Sequence, residues 1–353
     1  MVDIIDNIAS FDRLKSVWSQ IQDTPGVRIF QTYEWCRNAW DVIIRQHENQ
    51  SLQPKLWVLK WCQEGRDDVV LLPLYVTPNG CLRYIFDTHS DVCDAVYRHD
   101  CTNRHWAYKE FADAILQNKN IRSVWLQKQG GDSEAIRYLS IFLQGSVVYK
   151  DNAYSWVRLE KSDSIASSLT HFKRKDRDRI KGILKKAAKL EFSILSFRNG
   201  DEFPEGTISM MRDYMTQSLG RDMRYLDDRL IAFMRTLYVS GICELPIIRD
   251  ESGCLAIAFR LLKDDRINCW VVLYKDNQLT SELYARYMEA KSKNDSIVID
   301  FGVGVYGYKL GTFRPVTEPT YSLCYGKTIK SKVLGLIRAN LRFVKDIVLS
   351  ITH

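Results

Sequence analysis

The 353-residue sequence is sparing with chain breakers: eight prolines and 18 glycines, too few for a disordered or collagen-like chain. It has no run of ~20 apolar residues, so no membrane-spanning helix is expected. Met1-Val2-Asp3-Ile4-Ile5-Asp6 lacks the basic region and long apolar core of a secretory signal. No CxxC pair occurs among the nine cysteines, which are scattered and odd in number. Buried, reduced thiols in a cytoplasmic protein are the expectation. There is no G-x-S-x-G elbow, the signature of one hydrolase class, and no repeat of the solenoid kind.

What is present is an ordinary folded composition, 46% hydrophobic and 26% charged. At roughly 100–200 residues per domain, the length predicts two domains or one large one. The net charge of +7 is unevenly placed: residues 171–189 hold +7 and residues 327–353 hold +5. The remainder is therefore mildly acidic, and the positive field is local, as suits capture of an anionic ligand.

Periodicity predicts helices over 7–22, 33–47, 108–117, 133–143, 164–190, 208–219, 227–240 and 281–293, with a short turn at 305–312. Strands are predicted over 55–62, 68–76, 82–86, 121–127, 155–160, 191–197, 243–249, 254–262, 267–274, 296–301 and 318–326. Each half runs through helices, strands, helix and strand, an α+β (mixed α/β) pattern. The expected division is 1–160, 161–326 and a basic amphipathic helix over 327–353. That last helix is expected to dock on the core or to lie on an anionic membrane.

Gly302-x-Gly304-x-x-Gly307 follows an apolar strand and formally matches a dinucleotide fingerprint. Pro315 and Pro319 leave no room for the helix and strand that the fingerprint needs. The glycines are expected to make a tight turn instead. Cys93, His99, Cys101 and His105 match no zinc spacing, so no metal is expected. The segment 171–189 reads as a basic helix for a phosphate-rich ligand or as a solvated face. It has no DNA-recognition module beside it, so DNA is not an expected partner. Asp300-Phe301-Gly302…Tyr308-Lys309 sets a carboxylate at a strand end and a lysine beyond a glycine turn, where it can bind phosphate or stabilise an oxyanion.

These residues carry a resemblance. Phe172-Lys173-Arg174-Lys175, three consecutive strands, a helix, then Ile299-Asp300-Phe301-Gly302 and Tyr308-Lys309 resemble the Gcn5-related N-acetyltransferase superfamily. The nearest branch holds the BioF2-like and CelD-like acetyltransferase domains and the Fem peptidoglycan aminoacyltransferases. In the first half Phe30-Gln31-Thr32-Tyr33-Glu34-Trp35, Leu72-Pro73-Leu74-Tyr75 and the aspartates before Tyr97 agree. The resemblance implies two tandem acyl-CoA N-acyltransferase-type domains with a cleft between them. It implies Lys309 at the acyl-transfer site, with Asp300 and Tyr308 beside it. The donor, acetyl-CoA or another acyl-CoA, would lie along Trp270, Val271 and Val272, with Arg174 and Arg177 for its anionic end. Trp35, Asp91 and Asp94 would bind the acceptor, a small molecule or glycan precursor. The superfamily's pyrophosphate loop, due near 274–279, is absent, as in the Fem-like branch. The long helical hairpin of the Fem enzymes is also absent, which favours acyl-CoA over aminoacyl-tRNA. A catalytically degenerate binding module is the remaining alternative.

Overall fold

A computed structural model describes residues 1–44, 53–63, 68–169, 172–304 and 311–328, with single positions at 333, 336 and 337. The chain packs as two units. One holds Met1–Ala153 and the chain from Glu318; the other holds Tyr154–Thr317.

The first unit opens with β1 (Val2–Ile5), α1 (Ile8–Arg13) and α2 (Lys15–Gln22). The single helix predicted over 7–22 is divided at Leu14, which closes α1 and opens α2. The Asn7 side chain caps α1, accepting from the Ser10 N–H at 2.9 Å. Thr32 does the same for α3 (Tyr33–Ala39). There follow β2 (Lys55–Leu56), β3 (Val58–Cys62), β4 (Val69–Leu72), β5 (Leu74–Val76), β6 (Cys81–Tyr84) and β7 (Val96–Tyr97). The predicted strand over 68–76 is two strands. Pro73 has no N–H to give a ladder, and at that residue the chain changes sheets. β4 joins β1, β3 and β7, whereas β5 joins β2 and β6. α4 (Arg104–Gln117), β8 (Ser123–Gly130) and α5 (Glu134–Phe142) complete the core. Leu82, Tyr84, Val124 and Leu126 pack there with Tyr108, Phe111, Ile115 and Leu139.

β9 (Val147–Leu159) carries the chain into the second unit and starts earlier than the predicted 155–160. The long helix predicted over 164–190 is two helices, α6 (Ile165–Ser168) and α7 (Arg174–Ala187). Then come β10 (Glu191–Ser196), α8 (Glu205–Gln217), α9 (Asp228–Val239), β11 (Cys243–Asp250), β12 (Gly253–Lys263), β13 (Arg266–Tyr274), α10 (Asn277–Ser292) and β14 (Ile297–Val303). The sheet runs β10-β11-β12-β13-β14-β9. Only the β13–β14 pairing within it is parallel, and α10 supplies the crossover such a pair requires. α7 and α10 cover one face through Ile180, Tyr284, Tyr287 and Met288. On the other face Phe233 of α9 meets Trp270 at 6.0 Å.

The last strand, β15 (Val316–Gly326), was expected to close the second domain. It pairs instead with β8 of the first unit, from Thr320↔Gly130 to Gly326↔Ser123. Lys327 follows it. Its Nζ donates to the Ile115, Leu116 and Asn118 carbonyls at 2.7, 2.9 and 2.8 Å, capping the end of α4. A cation is favoured there because helix-end carbonyls lack partners. This lysine, counted with the basic tail in the sequence, is thus a structural residue. Lys327→Ala is expected to lower stability by about 1 kcal/mol in urea unfolding. An unchanged midpoint would show that the cap contributes nothing.

Candidate active site

The parallel pair β13–β14 is the feature around which a site can form. The strands are in register over Arg266↔Val298, Ile267↔Ile299 and Asn268↔Asp300 only. Just past that point each strand carries one extra residue. On β13, Val271 faces Phe259 and Cys269 faces Arg260, so Trp270 is the extra residue. On β14, Asp300 faces Trp156 and Val303 faces Tyr154, which places three steps against two. A bulge bends its strand and raises its twist. Two bulges at one point on neighbouring strands separate them, and β13 runs on to Tyr274 without β14 beside it. Gly302 lies in the second bulge at φ +75°, a conformation that favours glycine. Gly304, just past the strand, also has a positive φ of 103°; Gly307, the third glycine of the expected turn, lies outside the described residues.

Asp300 holds the branch point. It is almost fully buried, its Oδ1 accepts the Gly302 N–H at 2.9 Å, and its Oδ2 pairs with Arg266 at 3.2 Å. Both oxygens are therefore engaged, one on each strand of the fork. This is the geometry of a clamp that fixes where the strands separate. A general base needs an oxygen turned to the reacting proton.

The expected donor-binding residues sit on the strand that runs on. Trp270 packs against Phe233, and Val271 is buried. Val272 packs with Ile248, Ala256 and Leu283. Past β13, the start of α10 is capped by Asp276, whose carboxylate accepts the Gln278 N–H at 2.7 Å. A helix start is a natural anion site; here a carboxylate already occupies it. Arg174 stands 91% exposed on α7, 3.8 Å from Asp178, and Arg177 is half-buried on the same helix. Tyr308 and Lys309 lie outside the described residues, as does most of 327–353.

Behind the fork, on the α10 face, is a buried charge cluster that the sequence reading missed. Glu244 of β11 accepts from Tyr287 Oη and, at 2.7 Å, from Lys291 Nζ, both on α10. Arg260 of β12 faces Glu244 in register and has no exposed surface. Its guanidinium lies 4.3 Å from the Tyr284 ring and 5.6 Å from the Tyr287 ring. The cluster joins two strands of the sheet to the crossover helix. The available signal was a charged residue set between apolar neighbours in each of two strands, Cys243-Glu244-Leu245 and Phe259-Arg260-Leu261.

The first unit has a comparable parallel pair, β6–β8, in register at Cys81↔Ser123 and Leu82↔Val124. Its own side chains close it. Arg83 donates across to Gln127 Oε1 at 2.9 Å and pairs with the buried Asp87 at 2.9 Å. Of the residues expected to bind an acceptor, Trp35 has no exposed surface and donates to Ser90 Oγ at 3.1 Å. It offers a ligand nothing to touch and anchors the 86–90 turn instead. Asp91 is half-buried. Asp94 keeps some residue surface, but its carboxyl is enclosed, and burial pushes its pKa up to about 7. The Ala95 N–H and the Ser133 hydroxyl pull the other way.

All nine cysteines are free and seven are buried. Among the described residues no group of three or more His, Cys, Asp or Glu side chains is arranged to hold a metal, and no helix is long and apolar enough to cross a membrane.

No protein-family model and no curated protein matches this chain. Solved structures do. FemX aligns with 92% of this chain and 97% of its own at 10% identity, TM-score 0.54. A conserved protein of unknown function from Bacteroides thetaiotaomicron aligns over 93% and 100% at 11% identity, TM-score 0.53. The C-terminal domain of a protein assigned as a lysylphosphatidylglycerol synthetase, from Agrobacterium fabrum, aligns over 85% and 93% at 10% identity, TM-score 0.52. Likeness at such identities establishes fold. The chain has the mixed α/β, two-domain fold that the resemblance to the Fem enzymes implied.

Proposed function

We propose that the chain is an acyltransferase whose reaction takes place at the β13–β14 fork of the second unit. The observation that supports this most is the pair of bulges, one in β13 against β12 and one in β14 against β9, at the point where the parallel β13–β14 pairing ends beside Asp300. An extended acyl donor can add to β13 beyond Val271 much as a peptide adds to a sheet edge. Backbone N–H groups at such a bulge are fixed before reaction and can meet a developing oxyanion without reorganisation. An acceptor amine or hydroxyl then attacks the carbonyl. The new C–N or C–O bond forms as the donor's C–S or C–O bond breaks, and the acceptor proton passes to the leaving group. Asp300 acts here as the clamp. Lys309, with Tyr308, is assigned to the transfer step by its place in the motif.

The donor is an acyl-CoA, acetyl-CoA in the first instance, by the absence of the Fem helical hairpin. The Asp276 cap favours a second reading, an aminoacyl ester carried by tRNA, because it sets negative charge where a pyrophosphate would lie. The acceptor is an amine or hydroxyl of a glycan or nucleotide-sugar precursor, by analogy with the BioF2-like and CelD-like branch, and the reaction belongs to the cytoplasm. A thermal-shift panel of acetyl-CoA, longer acyl-CoAs, nucleotide sugars and an aminoacyl-adenosine ester separates the donors, since a ligand of the native state raises the midpoint. With the donor so found, Lys309→Ala is expected to lower kcat about a hundredfold with Tm unchanged. Undiminished turnover would remove Lys309 from the reaction.

A further inference from the structure

The exposed face of α7 is almost wholly cationic. Ile180 and Ala187 turn inward, with Leu184 half-buried beside them in the core. Arg174, Lys181 and Lys185 run along one flank of the outer face, at 100° per residue, and Lys175, Arg179 and Lys186 along the other. All six are exposed. Asp178 is the single exposed acid of the helix, 3.8 Å from Arg174 and 3.9 Å from Lys181. Asp176 is buried and pairs with Arg314. The result is a rod about 21 Å long at 1.5 Å per residue that presents two rows of positive charge.

We infer that this face of α7 docks on an anionic membrane surface. Four of the six cations are lysines, compact point charges that suit a diffuse negative surface more than the forked geometry of a shaped phosphate site. The face carries no aromatic ring on which a base could stack, as single-stranded nucleic-acid sites do. It also carries no exposed apolar side chain, so the contact is with headgroups and is sensitive to salt. The other basic segment of the chain, 327–353, interleaves its charges with Ile329, Val333, Ile337, Val344 and Val348, a pattern suited to the same surface. An assay that contains no acyl donor reads the docking apart from the chemistry at the fork.

The test is co-sedimentation of the full chain, without any acyl donor, with phosphatidylcholine vesicles that contain or lack about 30 mol% phosphatidylserine. Binding to the anionic vesicles alone is expected, and it should fall steeply between about 0.05 and 0.5 M NaCl. The variant Arg174→Gln, Lys175→Gln, Lys181→Gln, Lys185→Gln changes exposed residues only. It should keep its Tm and lose at least about tenfold in vesicle affinity. Equal binding by this variant overturns the inference, as does no binding by the parent chain. So does complete loss in a variant with only Lys330, Lys332, Arg338, Arg342 and Lys345 changed to Gln. α7-dependent binding to an RNA duplex with no vesicle binding would assign the face to nucleic acid instead.

Discussion

Replacing Glu244 with alanine is expected to cost the second unit about 3–5 kcal/mol of stability. Glu244 is the acceptor for Tyr287 Oη and Lys291 Nζ, and the fully buried Arg260 lies opposite it on β12. Removing the carboxylate leaves the partly buried Lys291 without its counter-charge and the buried Tyr287 hydroxyl without its acceptor, and takes the negative charge from the strand position opposite Arg260. Each loss is costly because water cannot replace the missing partner. A domain is commonly stable by about 5–15 kcal/mol, so the alanine variant stands near the limit of folding. Glu244→Gln keeps an oxygen acceptor and removes the charge, and should cost about half as much. Urea unfolding of both variants reads the difference. A Glu244→Ala variant within about 1 kcal/mol of the parent would show that the cluster does not hold α10 to the sheet.

Asp94 should make the first unit less stable as pH rises, the reverse of an ordinary salt-bridged aspartate. Its folded pKa is raised to about 7, whereas an aspartate in an unfolded chain titrates near 3.9. Between these values the folded state binds the proton and the unfolded state does not, so unfolding becomes easier with every pH unit. The contribution is fully present below about pH 4 and is lost as pH passes through about 7. With allowance for the solvent that still reaches the residue, the loss amounts to about 2–4 kcal/mol. Asp94→Asn retains an oxygen for the Ala95 N–H, which Asp94 now accepts at 2.8 Å, and has no proton to lose. The difference between parent and variant isolates this group from the other carboxylates. The variant should be the more stable by about 2–4 kcal/mol at pH 8 and by much less at pH 5. A difference independent of pH would mean that the carboxyl is not held protonated.

The order of elements was legible because apolar spacing reports which face of each segment is covered. The strands over 243–249, 254–262 and 267–274 and the helix between 267–274 and the last buried strand stand where the pattern placed them. The misplacements have local causes. β1 is four residues long with two exposed positions, too short for a period to show. β4 and β5 read as one apolar run because both are buried, and Pro73 was the mark of the break. The fork itself could not be read: a bulge is a relation between two strands, and Trp270 in isolation is one more aromatic in a strand. Trp35 shows the opposite failure, a motif residue whose whole surface is spent on the core. Arg260 and Glu244 were visible as charges in apolar strands, but Lys291 is 47 residues from Glu244 in the chain, and only the fold brings them together.

Hydrogen exchange read by mass spectrometry on the full chain, with and without the donor that raises its melting point, tests the central claim most directly. Acyl donor bound at the fork is expected to slow exchange in peptides that cover Trp270–Tyr274 of β13 and Phe301–Val303 of β14, the two segments beyond the last shared pair, Asn268↔Asp300. The closed pair β6–β8 of the first unit should exchange as before. Protection at β6–β8 or elsewhere, with none at the two arms of the fork, would contradict the assignment of acyl transfer to β13 and β14.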